Sequence, residues 1–302
     1  MVIVAEQVIL LLLFILAGYL LVRTKLIDGK HTKILSTLAV YVFLSCNIFR
    51  TFANNFTPTY LKEKYSLILV SAVVLVVMVG LSWVVSKVMT KNKYKQNIIR
   101  YSLTIPNYGY AGYAMAEGIY GSLMLQNVMM VTVPISVYTY TIGYCMLTNS
   151  KFSLKRLVNP ITIAMVCGAI VGFFGIPLPN VVHLFLNKSA GCMAPVGMIL
   201  AGAVVAEYKF SDLLKKPEVY MVTALRLVVL PILTGIALRL LHLEMAMIPM
   251  MLIVSMPCGL NTIIFPKLIG EDCQTGASLA LVTNLLSCLT VPLIFALFAL
   301  NP

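Results

Sequence analysis

Two short stretches of this chain combine residues that interrupt helices with residues that bind polar groups. The first, residues 102–121, reads SLTIPNYGYAGYAMAEGIYG and contains Pro106 and Asn107. The second, residues 255–270, reads SMPCGLNTIIFPKLIG and contains Pro257 and Asn261. Because proline removes a backbone donor and glycine adds conformational freedom, both stretches predict a break inside an apolar helix. The asparagine amide beside each break can both donate and accept hydrogen bonds.

Two such breaks would suit the binding of an anion. A half-helix that begins at a break presents unpaired N–H groups and about half a unit of positive charge. If the breaks cross, two such ends converge on one carboxylate or similar anion. We therefore expect six residues to contact the substrate: Asn107, Tyr108, Gly109, Cys258, Gly259 and Asn261. Three further residues should shape the breaks: Pro106, Gly112 and Pro257.

Other roles for these residues stay open from sequence alone. The asparagine side chains can serve to satisfy freed backbone groups, and the glycines can serve ordinary close packing between helices. Tyr108, Tyr110 and Tyr113 can form the wall of a pocket, or they can lie at a membrane interface as tyrosines often do.

Arg226 is a charged residue that lies well inside an apolar stretch. It is a candidate to draw a substrate anion inwards or to pair with carbonyl groups of the second break. It can also extend to the membrane surface as a snorkelling side chain. The amides of Gln126, Asn127 and Asn284 are candidates to support an ion, or to form hydrogen bonds between helices.

The composition is that of a membrane protein. The 302 residues are 60% hydrophobic and 11% charged, whereas a soluble domain has about 25% charged residues. The net charge of +12 does not indicate nucleic-acid binding, because the basic residues lie between apolar spans. The scattered cysteines and histidines lack ligand spacing, so we expect no metal and no cofactor. No HExxH or GxSxG motif is present, and we expect no enzyme activity.

Hydropathy divides the chain into ten predicted spans, each near the roughly 20 residues that a bilayer requires. They are 2–22, 34–52, 65–89, 98–116, 122–147, 161–174, 190–206, 219–241, 247–268 and 277–300. The fourth and ninth contain the breaks. Most of the 22 lysines and arginines follow odd-numbered spans. The positive-inside rule then predicts a multi-pass protein of the cell membrane with both termini outside.

Short motifs recur in the same order in the halves 1–150 and 151–302. The sequence PNYG at 106–109 corresponds to PCGLN at 257–261, and TVP occurs at 132–134 and again at 290–292. Because each half has an odd number of spans, the second half must enter the membrane from the opposite side. We therefore predict an all-α membrane protein with a single transporter domain. Its ten transmembrane helices would form a five-plus-five inverted repeat with two broken, crossing helices.

The residues at the breaks also form two recognisable patterns. Asn107, Gly109 and Gly112 match N-x-G-x-x-G, and Pro257 with Asn261 matches P-x-x-x-N. In these patterns, and in the runs 226–231, 277–278 and 290–292, the chain resembles the auxin efflux carrier family, in its bacterial-type form. The resemblance covers essentially the whole chain. It implies a scaffold, a mobile part that bears the crossing helices, a homodimer through the scaffold, and elevator-type transport of organic anions.

We therefore expect a secondary transporter of small organic anions, with aromatic anions and dicarboxylates among the candidate substrates. One alternative is a sodium-coupled organic-anion symporter of the bile-acid type, although such carriers usually place a central glutamate beside sodium and none occurs here. The alternative of another class is a non-transporting membrane sensor, which would have little need for two broken spans. The expected partners are the substrate, the lipid bilayer and a second copy of the chain.

Overall fold

The architecture is built from apolar α-helices, in a computed structural model that describes residues 2–28, 31–148 and 159–298. The helices are α1 Val2–Arg23, α2 Thr32–Asn55, α3 Pro58–Met89, α4 Lys93–Thr104, α5 Tyr113–Tyr120, α6 Leu123–Leu147, α7 Pro160–Phe174, α8 Asn180–Ala206, α9 Phe210–Leu214, α10 Pro217–Leu240, α11 Glu244–Val254, α12 Asn261–Ile269 and α13 Gln274–Phe298. Within these ranges there is no β-strand, only one isolated bridge. The predicted all-α class is confirmed.

Six of these helices are long and apolar enough to cross a membrane, namely α2, α3, α6, α8, α10 and α13. Shorter apolar helices accompany them, including α7 and α11. The full count of ten spans stays a prediction. The predicted boundary between the halves, the basic link 151–158 and the end of the last predicted span lie outside the described residues.

Side-chain caps fix where several helices begin. Thr57 precedes α3, Asn92 precedes α4 and Asn159 precedes α7. In each case the side-chain oxygen accepts a hydrogen bond from a backbone N–H of the first turn. Such caps satisfy donors that have no partner inside the helix.

Helices α1 and α8 pack with their backbones in contact. A Cβ atom on Gly18 would lie 2.0 Å from the carbonyl oxygen of Ile199, and one on Gly202 would lie 1.8 Å from that of Ile15. Any side chain at either glycine would therefore force the helices apart. Small residues that permit close backbone approach are typical of helix pairs in membranes.

Helices α2 and α7 form a second pair of the same kind. A Cβ on Gly168 would lie 2.5 Å from the carbonyl oxygen of Phe49, and one on Gly172 would lie 2.7 Å from that of Phe52. We call α1, α2, α7 and α8 the four-helix group. Helices α3 to α6 and α10 to α13 form the crossing group, in which α3 packs on α4 and α6 while α10 packs on α11 and α13.

Both predicted helix breaks are present in the crossing group. Between α4 and α5 the chain leaves the helical conformation at residues 105–107, and a π-helical turn, Tyr108–Gly112, leads into α5. Between α11 and α12 residues 255–260 are not helical. Gly112 differs from our expectation because its backbone is helical, with φ −61° and ψ −43°. Its missing Cβ instead makes room for the side chain of Ile253, since a Cβ would lie 2.9 Å from Cδ1.

Candidate substrate site at the crossing of two broken helices

The two breaks meet as short extended segments of main chain. Pro106 and Cys258 form an isolated antiparallel bridge. The N–H of Asn107 donates to the carbonyl of Pro257 at 2.8 Å, and the N–H of Gly259 donates to the carbonyl of Ile105 at 3.1 Å. Backbone groups that each break frees are thus satisfied by the other break, as is required away from water.

Gly259 permits this close approach. A Cβ at this position would lie 3.3 Å from the carbonyl oxygen of Ile105 and 3.4 Å from that of Pro106. Gly109 lies at a similar contact, where a Cβ would lie 3.1 Å from the terminal methyl of Met193 on α8. The two predicted site glycines therefore serve close packing of the main chain and of α8 around the crossing.

Asn107 carries the main polar feature of the site. Its side chain is 1% exposed, and neither its Oδ1 nor its Nδ2 has a hydrogen-bond partner among the described residues. Its main-chain carbonyl accepts from Ala111 and Gly112, both at 3.1 Å, which starts the turn towards α5. A buried amide without partners costs about 1–3 kcal/mol. The side chain does not cap the backbone here, and both of its polar atoms are left without a partner among the described residues.

Asn261, the first residue of α12, has a partner for only one of its two side-chain polar atoms. Its Nδ2 donates to the hydroxyl of Tyr101 at 2.9 Å, while its Oδ1 is buried without a partner among the described residues. Tyr101 is fully buried on α4. This bond therefore ties the start of α12 to the helix that ends at the first break.

The three tyrosines of the first break line the interior rather than a membrane interface, because all three are buried. The hydroxyl of Tyr108 accepts from Ser136 at 3.1 Å, and that of Tyr113 pairs with Thr132 at 2.7 Å. The hydroxyl of Tyr110 has no partner among the described residues. Two aromatic walls and one unpartnered hydroxyl therefore belong to the same break as Asn107.

Tyr110 also marks where the four-helix group meets the crossing. Its ring lies against Gly197 of α8, where a Cβ would come within 2.4 Å of the ring. The unpartnered hydroxyl is therefore on a side chain at the boundary between the two groups of helices. Relative movement of the groups would change its surroundings directly.

Arg226 is buried at the crossing from the side of α10. It is 0% exposed, so the snorkelling interpretation is wrong. Its Nε donates to the carbonyl of Met256 at 3.2 Å, and its Nη1 donates to the carbonyl of Leu103 at 3.0 Å. The predicted pairing with a carbonyl group of the second break is observed, and a second carbonyl comes from the last turn of α4, just before the first break.

The remaining predicted residues differ in their surroundings. The backbone N–H of Cys258 donates to Thr283 at 3.2 Å, and its side chain is fully buried. The carbonyl oxygen of the Gln126 side chain accepts from the hydroxyl of Tyr60. Asn284 donates to the carbonyl of Ala280 in its own helix at 2.7 Å. Asn127 has a buried Oδ1 without a partner among the described residues.

A polar cluster that the sequence analysis missed joins the two groups of helices at one end. Lys267, on α12, lies 2.6 Å and 2.8 Å from the two carboxylate oxygens of Glu207, which follows α8. Thr32, at the start of α2, donates to the same carboxylate at 3.0 Å. We call these three residues the end latch. Their only signal in the sequence is that charges lie at the ends of spans.

The loop after α12 makes further contacts with the segment that follows α8. The hydroxyl of Tyr208 donates to the carboxylate of Asp272 at 3.0 Å and accepts from the backbone N–H of Cys273 at 3.1 Å. Burial raises the pKa of the Cys273 thiol to about 12, and nearby Lys267 only partly opposes this rise. The thiol is therefore protonated at neutral pH, and its sulfur lies within hydrogen-bonding distance of two main-chain carbonyls, those of residues 263 and 271, to either of which its one hydrogen can be donated.

Comparison with known proteins gives one match that spans the chain. The model of a family described as membrane transport protein matches residues 3–155 and, a second time, residues 145–295. The two matches overlap where the sequence analysis placed the junction of the halves. Among curated proteins none matches the chain.

Proposed function

Because this chain belongs to the membrane transport protein family, that of the auxin efflux carriers, we propose that it carries small organic anions across the cell membrane. Membership makes it a secondary membrane transporter. The proposal adds that the anion binds where the two breaks cross. The observation that carries it is Asn107, whose two buried amide atoms lack partners within the described residues.

The distribution of charge supports an anion as the substrate. The turn at Tyr108–Gly112 and helix α12 both begin at the crossing, and helix N-terminal ends carry partial positive charge. Arg226 adds a full positive charge beside the same main-chain bridge. Among the described residues no aspartate or glutamate is buried. A cation would thus meet no buried carboxylate here, whereas an anion would meet positive charge.

The neutral polar groups at the crossing would orient the bound substrate. The amide of Asn107 can donate and accept, the Oδ1 of Asn261 can accept, and the hydroxyl of Tyr110 can do either. Together they can hold a carboxylate and a second hydroxyl or carboxyl group. The rings of Tyr108 and Tyr113, edge to face at 5.8 Å, add an aromatic wall. Aromatic carboxylates and dicarboxylates are therefore the first substrates to test.

The arrangement of helices supports the proposed inverted repeat. If the halves are exchanged, α1 takes the place of α7 and α8 takes the place of α2. The glycine-packed pair α1–α8 then corresponds to the glycine-packed pair α7–α2, and the first break corresponds to the second. Ten spans with both termini outside are consistent with this correspondence.

For the transport cycle we propose an elevator mechanism in a homodimer. The four-helix group would act as the scaffold and carry the dimer contact, and the crossing group would move against it. The side chain of Asn107 is almost inaccessible in this conformation. A substrate can therefore reach it only after the helices move, and on the side of the end latch that movement must separate Lys267 from Glu207.

The direct test is uptake of labelled carboxylates by proteoliposomes that contain the purified protein. Aromatic, mono- and dicarboxylates would each be tested with and without a sodium gradient or a pH gradient. We expect saturable uptake of at least one carboxylate, well above that of protein-free liposomes. Strict dependence on sodium would favour the bile-acid type of symporter. Uptake of no anion under any gradient would contradict the proposal and favour the sensor.

A further inference from the structure

Two half-helices end at the crossing, and their C-terminal ends form a distinct electrostatic feature. The last carbonyl groups of a helix lack partners in the helix and carry about half a unit of negative charge. In carriers with broken helices, such carbonyls are where coupling sodium ions or protons bind. The carbonyls concerned here are that of Leu103, in the last turn of α4, and that of Met256, two residues beyond the end of α11.

In this chain a side chain lies at these ends. Arg226 donates to Leu103, in the last turn of α4, and to Met256, in the second break. The guanidinium is wholly buried, and its Nη2 has no partner among the described residues. Leu103 and Met256 belong to opposite halves of the chain, so one cation bridges the end of α4 and the second break.

We propose that the guanidinium of Arg226 is a built-in cation that takes the place of a dissociable coupling ion. The inference rests on the proposed function, because an ion is coupled only in a carrier that transports. An arginine keeps its proton in proteins, and a side chain cannot leave. The positive charge therefore stays at the crossing throughout the cycle, and sodium has no site to fill between these carbonyls.

The consequence of removing the guanidinium follows from the same geometry. Without it, the partly negative end of α4 and the carbonyl of Met256 lie in a buried place with no compensating charge. A free cation of suitable shape should then bind and stabilise the folded protein, since any ligand that binds only the folded state raises its stability. Guanidinium itself matches the deleted group.

The experiment compares Arg226→Ala with Arg239→Ala, which removes the same side chain from the exposed end of the same helix. Arg239 lies outside the crossing, with one guanidinium nitrogen 3.4 Å from the carbonyl of Leu297. Thermal unfolding of the purified proteins would be measured in equal, low millimolar concentrations of choline, sodium or guanidinium chloride. We expect Arg226→Ala to melt below the wild type and to regain part of the loss in guanidinium only. Neither the wild type nor Arg239→Ala should gain.

A second pair keeps the inference testable if Arg226→Ala does not fold. Arg226→Lys keeps a charge and Arg226→Met keeps the approximate bulk, so the lysine variant should melt clearly above the methionine variant. Equal melting of that pair, no response of Arg226→Ala to guanidinium, or stabilisation of the wild type by sodium over choline would each overturn the inference. These measurements need no transport. If guanidinium stabilised Arg226→Ala but the wild type took up no carboxylate, the cation site would stand and only the proposed function would be refuted.

Discussion

The backbone N–H of Asn107 donates a hydrogen bond to the carbonyl of Pro257, 2.8 Å away. One residue lies in the break of the first half of the chain and the other in the break of the second half. The bond fixes Asn107 against the opposite break, so its free amide is positioned by both halves. Any change in the angle between the two breaks would displace that amide, so the proposed binding of substrate there would be sensitive to movement of the breaks.

The close contact of α1 with α8 predicts a sharp difference between two glycines of α8. Gly202→Ala would place a Cβ 1.8 Å from a backbone carbonyl oxygen, whereas a Cβ on Gly191 would have no neighbouring atom within 4 Å. Overpacking typically costs about 1–3 kcal/mol, and a backbone obstacle favours the upper end. Gly202→Ala should therefore melt well below the wild type, and Gly191→Ala should not. Equal melting of the two variants would show that the helices are not in backbone contact.

The end latch predicts how the closed conformation can be loosened. Glu207→Gln or Lys267→Met removes an ion pair whose side chains are about one fifth exposed, 22% and 18% respectively. Such partly exposed pairs contribute about 1 kcal/mol or less. Either variant should therefore populate the conformation open at this end up to about fivefold more, since 1.4 kcal/mol corresponds to a factor of ten.

Alkylation of Cys273 measures that opening. In the closed conformation burial raises the pKa of its thiol to about 12, so almost no thiolate is present at pH 8. Opening to water lowers the pKa towards about 8.5 and speeds the reaction. Peptide mass spectrometry separates Cys273 from the other cysteines. Glu244→Gln, at the beginning of α11 and away from the latch, should react at the wild-type rate. A rate unchanged in both latch variants would contradict the proposed gating role.

The charge bias predicts the orientation in the membrane. In a cysteine-free background, Lys93→Cys and Lys155→Cys should react with an impermeant maleimide only from the cytoplasmic side. Lys62→Cys should react only from the outside. Reaction of both Lys93→Cys and Lys155→Cys from the outside would invert the orientation.

The breaks could be predicted from the sequence because their causes are local. Pro106, Pro257 and Gly259 act on their own backbone, so their types and spacing favour an interruption. The role of Arg226 could not be predicted in the same way. Its partners are two main-chain carbonyls that are distant in the sequence. Every residue has a main-chain carbonyl, so the sequence does not indicate which carbonyls pair with the arginine. The sequence therefore left three roles open for this arginine. The packing of α10 against the crossing excludes snorkelling and shows the pairing with carbonyls, and attraction of an anion stays a prediction.

The end latch shows the same limit for charged residues. Lys267 and Glu207 each lie at the end of a predicted span, where charges are common and carry no information about partners. Their contact depends on how α12 docks against α8, which is a property of the tertiary arrangement. Gly112 is the opposite case. It lies in a sequence pattern that predicts a helix break, but its backbone is helical and its missing side chain makes room for Ile253.

The two site asparagines should differ when each is replaced by alanine. Asn261→Ala removes a hydrogen bond to the buried hydroxyl of Tyr101, as well as the Oδ1 that we propose accepts from the ligand. The loss of a partner for a buried polar group costs about 1–3 kcal/mol. This variant should therefore melt below the wild type and also bind substrate more weakly. Melting at the wild-type temperature would show that the bond to Tyr101 contributes little to folding.

The most direct test of the crossing as the binding site is Asn107→Ala, measured with a labelled carboxylate that the wild type transports. Because the amide has no partner within the described residues, the empty variant should melt at or above the wild-type temperature. Its affinity for the carboxylate should fall about 5- to 150-fold, which corresponds to 1–3 kcal/mol. Asn97 lies on α4, the helix that leads to the first break, and its amide donates to the carbonyl of Met146 on α6. Asn97→Ala should keep the wild-type affinity. Wild-type affinity in Asn107→Ala, together with a lower melting temperature, would contradict the account and place the substrate elsewhere.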